Sequence, residues 1–302
     1  MFKLFKKNKP KVSLVIIIYN KEDYIEECLD SIVSQKIEKE IICVDDCSTD
    51  RTNEILKSYT KKYPEIKIVR NYENCGTILS RYNGLKKCTG EYAYLVDGDD
   101  KLMPDTLATL YDIAVERKCD ILEFSMIASS KKSFELRKFG DYHGNLLEYF
   151  ADKKIKNTLA NKLISKKVYK KTIPLLNPDV KHDNFSEAIF YSYHFLSNAS
   201  SLSQVDIKGY YYYDDRGMTT NSNNIERLNH FCNFYITYNE LCCVYGESKE
   251  LFYWKNIVCN QAIDVFLKLN KKDQDKYRFE LKKLMTEEEI DFLINEKLNV
   301  EE

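Results

Sequence analysis

Strand-like and helix-like segments alternate along roughly the first 125 residues of the chain. The strand-like segments are short, apolar and rich in β-branched residues: 12–18, 40–44, 66–69, 92–96 and 120–124. The helix-like segments between them carry apolar residues at helical spacing: 22–35, 51–62, 77–88 and 105–117. Strands that alternate with helices of this length are typical of βαβ units. We therefore predict an α/β fold with a Rossmann-like, mostly parallel sheet flanked by helices.

Polar residues directly follow three of the predicted strands. Tyr19 follows the first strand and the pair Asp45–Asp46 follows the second. Asp97 follows the fourth, with Asp99 and Asp100 close behind. In open α/β sheets, ligands bind beyond the carboxyl ends of the strands, and these ends meet at one edge. We therefore expect an aromatic ring and two groups of carboxylates to lie side by side, although they are far apart in sequence.

This set of side chains suits a nucleotide diphosphate and a divalent metal ion. Several carboxylates facing one cleft need a cation, and oxygen ligands favour Mg²⁺ or Mn²⁺. The chain lacks a G-x-x-x-x-G-K-[ST] loop and a G-x-G-x-x-G turn after its first strand. The metal would therefore supply much of the charge neutralisation at the phosphates. A Tyr ring beside a carboxylate suits a nucleobase, because the ring stacks on the base and the carboxylate accepts an N–H from its edge.

Each of these groups also has a simpler interpretation. The carboxylates after the fourth strand could form a turn and the cap of helix 105–117, and Asp45–Asp46 could serve helix 51–62 in the same way. Paired acids at strand ends also form the phosphoacceptor pocket of receiver domains. Asn20 is the predicted N-cap of helix 22–35, with Asp23 three residues later. The order and spacing of all these elements together favour the nucleotide site.

Four segments resemble the family 2 glycosyltransferases, with their GT-A nucleotide-diphospho-sugar-binding fold. They are VSLVIIIYNKEDYIEECLDSIVSQ, EIICVDDCSTDRTNEIL, NYENCGTILSRYNGLKKCTGEYAYLVDGDD and MPDTL, and they lie within residues 12 to about 124. A weaker resemblance continues to about residue 220. VKHDNFSEAIF (180–190) resembles the family's E-D-x-x-F motif, and YYYYDDRGMTT (210–220) resembles a segment that closes over the donor diphosphate.

The resemblance implies a role for each matching position. At the base, Tyr19 would stack on the ring and Asp46 would accept from its edge, and Arg81 would lie near the nucleotide and its phosphates. At the metal, Asp97 would contact the ribose and the metal shell, and Asp99 would bind the metal directly. Arg216 and Thr219 would contact the diphosphate. On the acceptor side, Asp183 would deprotonate the attacking hydroxyl. Its nearest competitors for that role are His182, His194 and Glu187.

Three positions depart from the family pattern. Cys47 stands where Gly is usual in D-D-G-S, which predicts that this turn does not need a positive φ. Tyr82 stands where Asn usually follows the Arg, and His182 replaces the acidic residue before Asp183. None of these changes removes a charge that the mechanism needs.

The activity that the resemblance implies is an inverting transfer of one sugar. The donor would be a nucleotide-diphospho-sugar, with UDP as the expected nucleotide and Mn²⁺ or Mg²⁺ as cofactor. The acceptor would be a hydroxyl of a glycan or glycolipid in bacterial surface polysaccharide assembly. The chain lacks the Q-x-x-R-W motif of processive membrane synthases, so a non-processive enzyme is favoured. The alternatives are a non-catalytic sugar-nucleotide-binding or scaffold protein, and a nucleotidylyltransferase, whose Gly-rich N-terminal loop is not found in IIIYNKEDY.

The chain divides into three predicted regions. Residues 1–125 would form the nucleotide-sugar-binding half and 126–224 the acceptor-binding half, while 225–302 would be helical, with helices at 225–245, 249–269, 273–284 and 286–297.

The net charge of -1 argues against nucleic acid as a partner. Apolar runs stay short of the roughly 18 residues that a membrane span needs. Ten scattered Cys fit a reduced, cytoplasmic protein.

The N-terminal stretch MFKLFKKNKPK interleaves Lys with apolar residues. It has two interpretations: a frayed, solvated terminus, or a peripheral contact with the anionic inner face of the cytoplasmic membrane. The sequence leaves the sugar, the acceptor, the linkage and the oligomeric state open.

Overall fold

One mixed sheet runs through the centre of the chain. The computed structural model describes residues 9–130, 139–180, 186–216 and 223–300. Within these ranges the sheet has nine strands. They are β1 Val12–Ile18, β2 Lys39–Asp45, β3 Ile66–Arg70, β4 Tyr92–Asp97, β5 Lys101–Leu102, β6 Ile121–Ala128, β7 Asp141–His143, β8 Lys162–Ser165 and β9 Ser201–Tyr212. The five strands predicted from sequence are confirmed as β1, β2, β3, β4 and β6.

Helices cover both faces of the sheet and make up the C-terminal region. They are α1 Ile25–Val33, α2 Thr52–Lys62, α3 Gly76–Lys87, α4 Thr106–Glu116, α5 Leu146–Ala151, α6 Lys166–Thr172, α7 Glu187–Asn198, α8 Asn224–Tyr245, α9 Lys249–Phe266, α10 Lys271–Leu281 and α11 Glu287–Val300. The four predicted C-terminal helices are confirmed as α8 to α11. Among the described residues, no helix combines the length and the apolar character that crossing a membrane requires.

The strand order divides the sheet into a parallel part and a mixed part. The order is β3-β2-β1-β4-β8-β6-β9-β5, with β7 paired to β9. The strands β3, β2, β1 and β4 are parallel neighbours, as the βαβ pattern predicts. Beyond them, β8 lies between β4 and β6 and is antiparallel to both. One sheet therefore connects the two predicted halves of the chain.

Two apolar layers enclose the sheet, one on each face. All seven residues of β1 are buried, as expected for a strand covered by helices on both sides. Val15 packs into one layer, and its neighbours Leu14 and Ile16 pack into the other. The layer on the Val15 side continues from α3 through α7 into the C-terminal helices. The N-terminal sheet and the C-terminal helices thus share one continuous core.

Helix α3 lies unusually close to β1. A Cβ atom added to Gly84 would collide with the side chain of Val15 and press on that of Val44. A side chain at this position would therefore push the helix off the sheet. Because α3 carries Arg81 less than one turn before Gly84, this close contact also sets the depth of the Arg81 side chain in the protein.

Candidate active site

The carboxyl ends of β1, β2 and β4 bring the predicted residues to one edge of the sheet. In the parallel register, Ile18 of β1 lies opposite Asp45, and Ile17 lies opposite Asp97. Tyr19 follows β1 directly and is half-buried. The parallel register therefore brings Tyr19, the pair Asp45–Asp46 and Asp97 to the same end of the parallel part of the sheet.

The loop after β4 keeps its three carboxylates apart by giving each a different partner. Asp97 accepts from Arg81 Nη2 at 2.6 Å, and Asp99 accepts from Lys21 Nζ at 2.6 Å. Asp100 accepts from the Tyr210 hydroxyl at 2.8 Å. Asp100 also accepts a hydrogen bond at 2.8 Å from the backbone amide of Tyr213, the residue after β9. Asp100 therefore anchors the loop to β9 and does not cap helix α4.

The residue directly after β4, Gly98, must be glycine. The Gly98 amide donates to the carbonyl oxygen of Ile17 at 3.1 Å. A Cβ atom at this position would lie 2.9 Å from the same oxygen. Any side chain would push the loop away from β1, so Gly98 fixes the distance between the first strand and the two carboxylates that flank it.

Two carboxylates of this loop, Asp99 and Asp100, have a raised proton affinity. Burial is the main cause that raises the pKa of Asp99, and the charge of Asp97 adds to the effect, while Lys21 opposes it. Burial, and then Asp97, also raise the pKa of Asp100. Like charges held together in a buried loop favour binding of a cation.

Arg81 lies between the two halves of the chain. Its side chain is 3% exposed and pairs with Asp97 of β4 and with Glu187, the first residue of α7. Burial opposes the charge of Arg81, but Glu187 and Asp97 outweigh it and raise its pKa. The atom Arg81 Nη1 is buried and has no hydrogen-bond partner among the described residues. Arg81 thus has one donor available for a further acceptor.

Glu187 is a residue of this site that sequence reasoning considered only as a competitor of Asp183. Burial raises its pKa, Arg81 opposes the rise, and Asp97 adds to it. The pairing with Arg81 spans 106 positions in sequence. A local signal existed, since an acidic residue in the first turn of a helix is favourable, but nothing local points to Arg81 as its partner.

Asp46 has a set of internal hydrogen bonds at the start of α3. Its Oδ1 accepts from Asn71 Nδ2 at 2.8 Å and from the Cys75 amide at 2.9 Å. Its Oδ2 accepts from the Gly76 amide at 2.8 Å. The carboxylate therefore supports the N-terminus of α3 and is only 5% exposed. Contact with a base edge stays a prediction for this residue.

Two predictions about the neighbouring turns are wrong. Cys47 has φ 62, so the D-D-x-S turn does adopt the left-handed conformation that the Cys was expected to exclude. The turn is held there because Asp45 Oδ1 accepts from the Ser48 amide at 2.9 Å. Asn20 is not the N-cap of α1, which begins only at Ile25. Instead, Asn20 Oδ1 accepts a hydrogen bond from the Thr49 amide at 2.8 Å. This bond connects the turn after β1 to the turn after β2.

Arg216 reaches the loop after β4, where its predicted role requires it. Its guanidinium carbon lies 3.4 Å from the ring centroid of Tyr213 and 4.6 Å from that of Tyr24. Its Nη1 donates to Glu27 at 2.9 Å and to the Asp99 carbonyl oxygen at 3.3 Å. The two rings and the carboxylate hold the guanidinium beside the loop.

Glu27 of α1 accepts hydrogen bonds from three side chains: Lys101, Tyr213 and Arg216. The hydrogen bond from Lys101 is the largest cause that lowers the pKa of Glu27 to about 2, and those from Tyr213 and Arg216 add to it against the effect of burial. Glu27 is therefore charged at neutral pH and joins α1, β5 and the segment after β9.

Two kinds of prediction remain: the roles of residues outside the described ranges, and the binding of a metal ion. Asp183, Thr219 and His182 lie outside the described residues. Within the described ranges, no group of three or more His, Cys, Asp or Glu side chains is arranged to hold a metal ion. Asp97 and Asp99 supply two carboxylates. Mg²⁺-type sites commonly take one or two carboxylates and complete their shell with substrate phosphates and water, so this donor set fits such an ion.

The sheet, its flanking helices and this strand-end site define a GT-A fold. The chain belongs to glycosyl transferase family 2, whose family model matches residues 13–173. Both the predicted family and the predicted fold class are confirmed. Among solved structures, residues 1–349 of S. aureus TarS in complex with UDP-GlcNAc superpose with a TM-score of 0.67 at 21% identity, covering 94% of this chain and 84% of that one.

Two curated relatives match different lengths of the chain. The poly(ribitol-phosphate) beta-glucosyltransferase of Bacillus spizizenii is 43% identical over 115 residues, which are 37% of this chain and 18% of the relative. The cholesterol galactosyltransferase of Borreliella burgdorferi is 31% identical over 236 residues, which are 73% of this chain and 64% of the relative. The match therefore spans less than two thirds of either relative's own length.

Proposed function

We propose that this protein is a metal-dependent inverting glycosyltransferase. It would move one sugar from a UDP-sugar to a hydroxyl of a glycan or glycolipid in the synthesis of a bacterial surface polymer. The observation that carries the proposal is the pair Asp97 and Asp99 at the carboxyl end of β4, with Tyr19 beside them in the sheet edge and Arg216 held over the same loop. Relatives named for transfer to poly(ribitol phosphate) and to cholesterol support the activity class.

The donor would lie along the edge formed by β1, β2 and β4. Tyr19 would stack on the base. Within the described ranges, Asp46 Oδ2 accepts one hydrogen bond, from the Gly76 amide, which leaves capacity for an N–H of the base edge. The TarS fragment has been solved in complex with UDP and with UDP-GlcNAc, which supports UDP as the nucleotide.

The diphosphate would lie against the loop after β4. Asp99 and Asp97 would hold Mn²⁺ or Mg²⁺ there. When bound, such an ion neutralises charge on the departing diphosphate without a protonated side chain. Arg216, together with Thr219, would contact the phosphates, and Arg81 would keep the Asp97 carboxylate oriented through their hydrogen bond of 2.6 Å.

Asp183 is the proposed base. It would accept the proton of the acceptor hydroxyl while that oxygen attacks the anomeric carbon from the face opposite the diphosphate. A single displacement of this kind inverts the anomeric configuration. Asp183 precedes α7 by four positions, and α7 begins with Glu187 in contact with Arg81. This contact brings the start of α7 to the donor site, as an acceptor-side base requires.

We favour the glycolipid among the two acceptor classes, because the Borreliella relative is named for a sterol acceptor. A small apolar recess between α3 and α7 is lined by Leu79, Tyr82, Pro178, Val180 and Phe190, and it is too small to hold a lipid.

The donor half of the proposal is tested with a panel of nucleotide-sugars. We expect metal-dependent hydrolysis of one UDP-sugar and UDP binding that strengthens with Mn²⁺. Asp99→Asn should lose the metal-dependent gain, while the control Asp105→Asn, whose side chain is 68% exposed, should keep it. Calorimetric titration gives the UDP affinity with metal and with chelator. Equal affinities would contradict the proposed metal site.

The acceptor half is tested with Asp183→Asn. Transfer should fall by about 10²–10⁴-fold, which is the usual contribution of a general base, and UDP affinity should be unchanged. Transfer at the wild-type rate would exclude Asp183 as the base and make Glu187 the next residue to test. A non-catalytic scaffold would show no transfer by either protein.

A further inference from the structure

Lys21 holds the carboxylate that is proposed to bind the metal. Its Nζ lies 2.6 Å from Asp99 Oδ2, and the two side chains are only 14% and 12% exposed. The backbone amide of Lys21 donates to Thr52 Oγ1 at 2.9 Å, so the base of the side chain is fixed on α2. The ammonium group is also 6.0 Å from the ring centroid of Tyr24.

Among the three carboxylates of the loop, Asp99 is the one with a displaceable partner. Arg81, the partner of Asp97, is 3% exposed and is also held by Glu187. Asp100 is bound to β9 and the residue after it. Lys21, by contrast, reaches Asp99 on a flexible four-carbon stem with rotatable donors. A small rotation about its side-chain bonds would free the Asp99 carboxylate without moving the backbone.

We propose that Lys21 occupies the cation position on Asp99 in the absence of donor and transfers to the donor phosphates when the metal enters. This inference depends on the proposed function, since it requires both a metal and a diphosphate. An ammonium group at hydrogen-bond distance and a divalent ion repel each other at one carboxylate oxygen, so the ion must displace Lys21. A diphosphate provides the displaced ammonium with a new anionic partner.

The consequence is a coupling between metal and nucleotide. The metal alone competes with Lys21 for Asp99, whereas the nucleotide removes the competitor, so each ligand binds better in the presence of the other. Removing the ammonium group should therefore tighten metal binding in the absence of nucleotide. The gain in metal affinity that UDP produces should then shrink, because the variant has no ammonium group for the nucleotide to draw away from Asp99.

The experiment measures Mn²⁺ binding by electron paramagnetic resonance, with and without UDP. The proteins are the wild type, Lys21→Met and, as a matched control, Lys36→Met. In the wild type, Lys36 pairs with Asp105, and the two side chains are 85% and 68% exposed. Without UDP, we expect Lys21→Met to bind Mn²⁺ more tightly than the wild type by about 5- to 150-fold, the usual range of coupling. Lys36→Met should match the wild type. Lys21→Gln repeats the test if Lys21→Met does not fold, and Lys21→Arg, which keeps the charge, should bind like the wild type.

Two failures are distinguishable. If the wild type binds Mn²⁺ with UDP but Lys21→Met binds Mn²⁺ no more tightly than the wild type without UDP, Lys21 does not compete for Asp99 and the inference is overturned while the proposed function stands. If neither protein binds Mn²⁺ even with UDP, the proposed metal site is wrong and this inference fails with it.

Discussion

At the scale of single residues, Arg81 is where carboxylates from the two halves of the chain converge. Asp97 comes from β4 and Glu187 from α7, and Arg81 between them is almost fully buried. A buried charge that loses one partner is costly, because the remaining interactions must compensate its desolvation alone. The pair with Glu187 should therefore contribute to stability as well as to the position of α7.

The variant Glu187→Gln tests this contribution. It keeps the size of the side chain and leaves the Arg81 charge with Asp97 alone, so we expect the free energy of unfolding to fall by about 1–3 kcal/mol. Glu148→Gln is the control, because its pair with Lys249 is exposed on both sides and should change stability by less than about 0.5 kcal/mol. Equal effects of the two variants in urea unfolding would mean that the Glu187 pair adds nothing beyond a surface contact.

Cys47 allows a second test at this scale, because it adopts the conformation that glycine prefers. Its φ of 62 costs a non-glycine residue about 1–2 kcal/mol. Cys47→Gly should therefore raise the free energy of unfolding by up to about 1 kcal/mol. Cys75→Gly, at an ordinary φ of -98, should lower it by about 0.5–1 kcal/mol. Thermal unfolding of the two variants should show shifts of opposite sign; shifts of the same sign would contradict the strain at Cys47.

At the scale of secondary-structure elements, Glu40 joins the amino ends of three parallel strands. It lies in β2, accepts from Ser13 of β1 at 2.6 Å and from Lys67 of β3 at 2.7 Å, and also accepts from the Thr89 amide at 2.6 Å. Burial would raise its pKa, but the hydrogen bonds from Lys67, Ser13 and Thr89 outweigh burial and lower the pKa to about 2. The carboxylate is therefore most stabilising when it is charged.

This makes the stability of the parallel strands dependent on pH in a defined direction. Since the folded pKa of Glu40 is below its ordinary value of 4.5, its contribution is complete above about pH 4.5 and is lost as the pH falls towards 2. Glu40→Gln should lower the free energy of unfolding by about 2–3 kcal/mol at pH 7, and the difference from the wild type should shrink below pH 4.5. Glu38→Gln, in an exposed pair with Lys11, should differ little from the wild type at any pH. A constant difference for Glu40→Gln from pH 7 to pH 3 in urea unfolding would contradict the assignment.

The elements that the sequence predicted are those with long, strong patterns. The buried run of β1 and the helical stripes of α8 and α9 are unambiguous because many residues repeat the same period. The strands β5, β7 and β8 have two to four residues, which is too few for a period to be recognised. The antiparallel insertion of β8 between β4 and β6 was therefore not predicted. Strand β9 has 12 residues and was not predicted either, because its buried and exposed positions do not alternate.

The strand-end residues of the site were predictable for a topological reason, whereas their partners were not. Parallel strands bring Tyr19, Asp46 and Asp97 to one edge whatever their sequence separation. The partner of Asp99 is 78 positions away and that of Glu187 is 106 positions away. Which Lys or Arg pairs with which acid depends on tertiary packing. A single sequence with 46 Lys and Arg residues contains no signal for that choice.

At the scale of the whole molecule, the continuous core links the parallel strands to the C-terminal helices. Val15 of β1 and Trp254 of α9 belong to the same apolar layer. Trp254 packs against Phe150 with ring centroids 4.5 Å apart, and it is the single Trp of the chain. Its fluorescence therefore reports on the packing of α9 against α5.

We expect this core to unfold as one cooperative unit. The urea midpoint from Trp254 fluorescence should coincide with that from far-ultraviolet circular dichroism. Glu40→Gln, a change at the opposite end of the chain, should lower both midpoints together. A Trp254 midpoint that does not move with Glu40→Gln would show that the C-terminal helices form an independent domain.

The ties of the loop after β4 also set an order of events during synthesis of the chain. Asp100 is held by the Tyr210 hydroxyl, 110 positions later in sequence, and the strand with which β5 pairs in the described part of the chain is β9. A ribosome that adds about 5–20 residues per second needs roughly 5–20 s to make the intervening chain. During that interval the first four strands can pair, but their acidic loop is without its anchor. A nascent or truncated chain that ends before β9 would therefore carry the family's most recognisable sequence without the residues that anchor this loop.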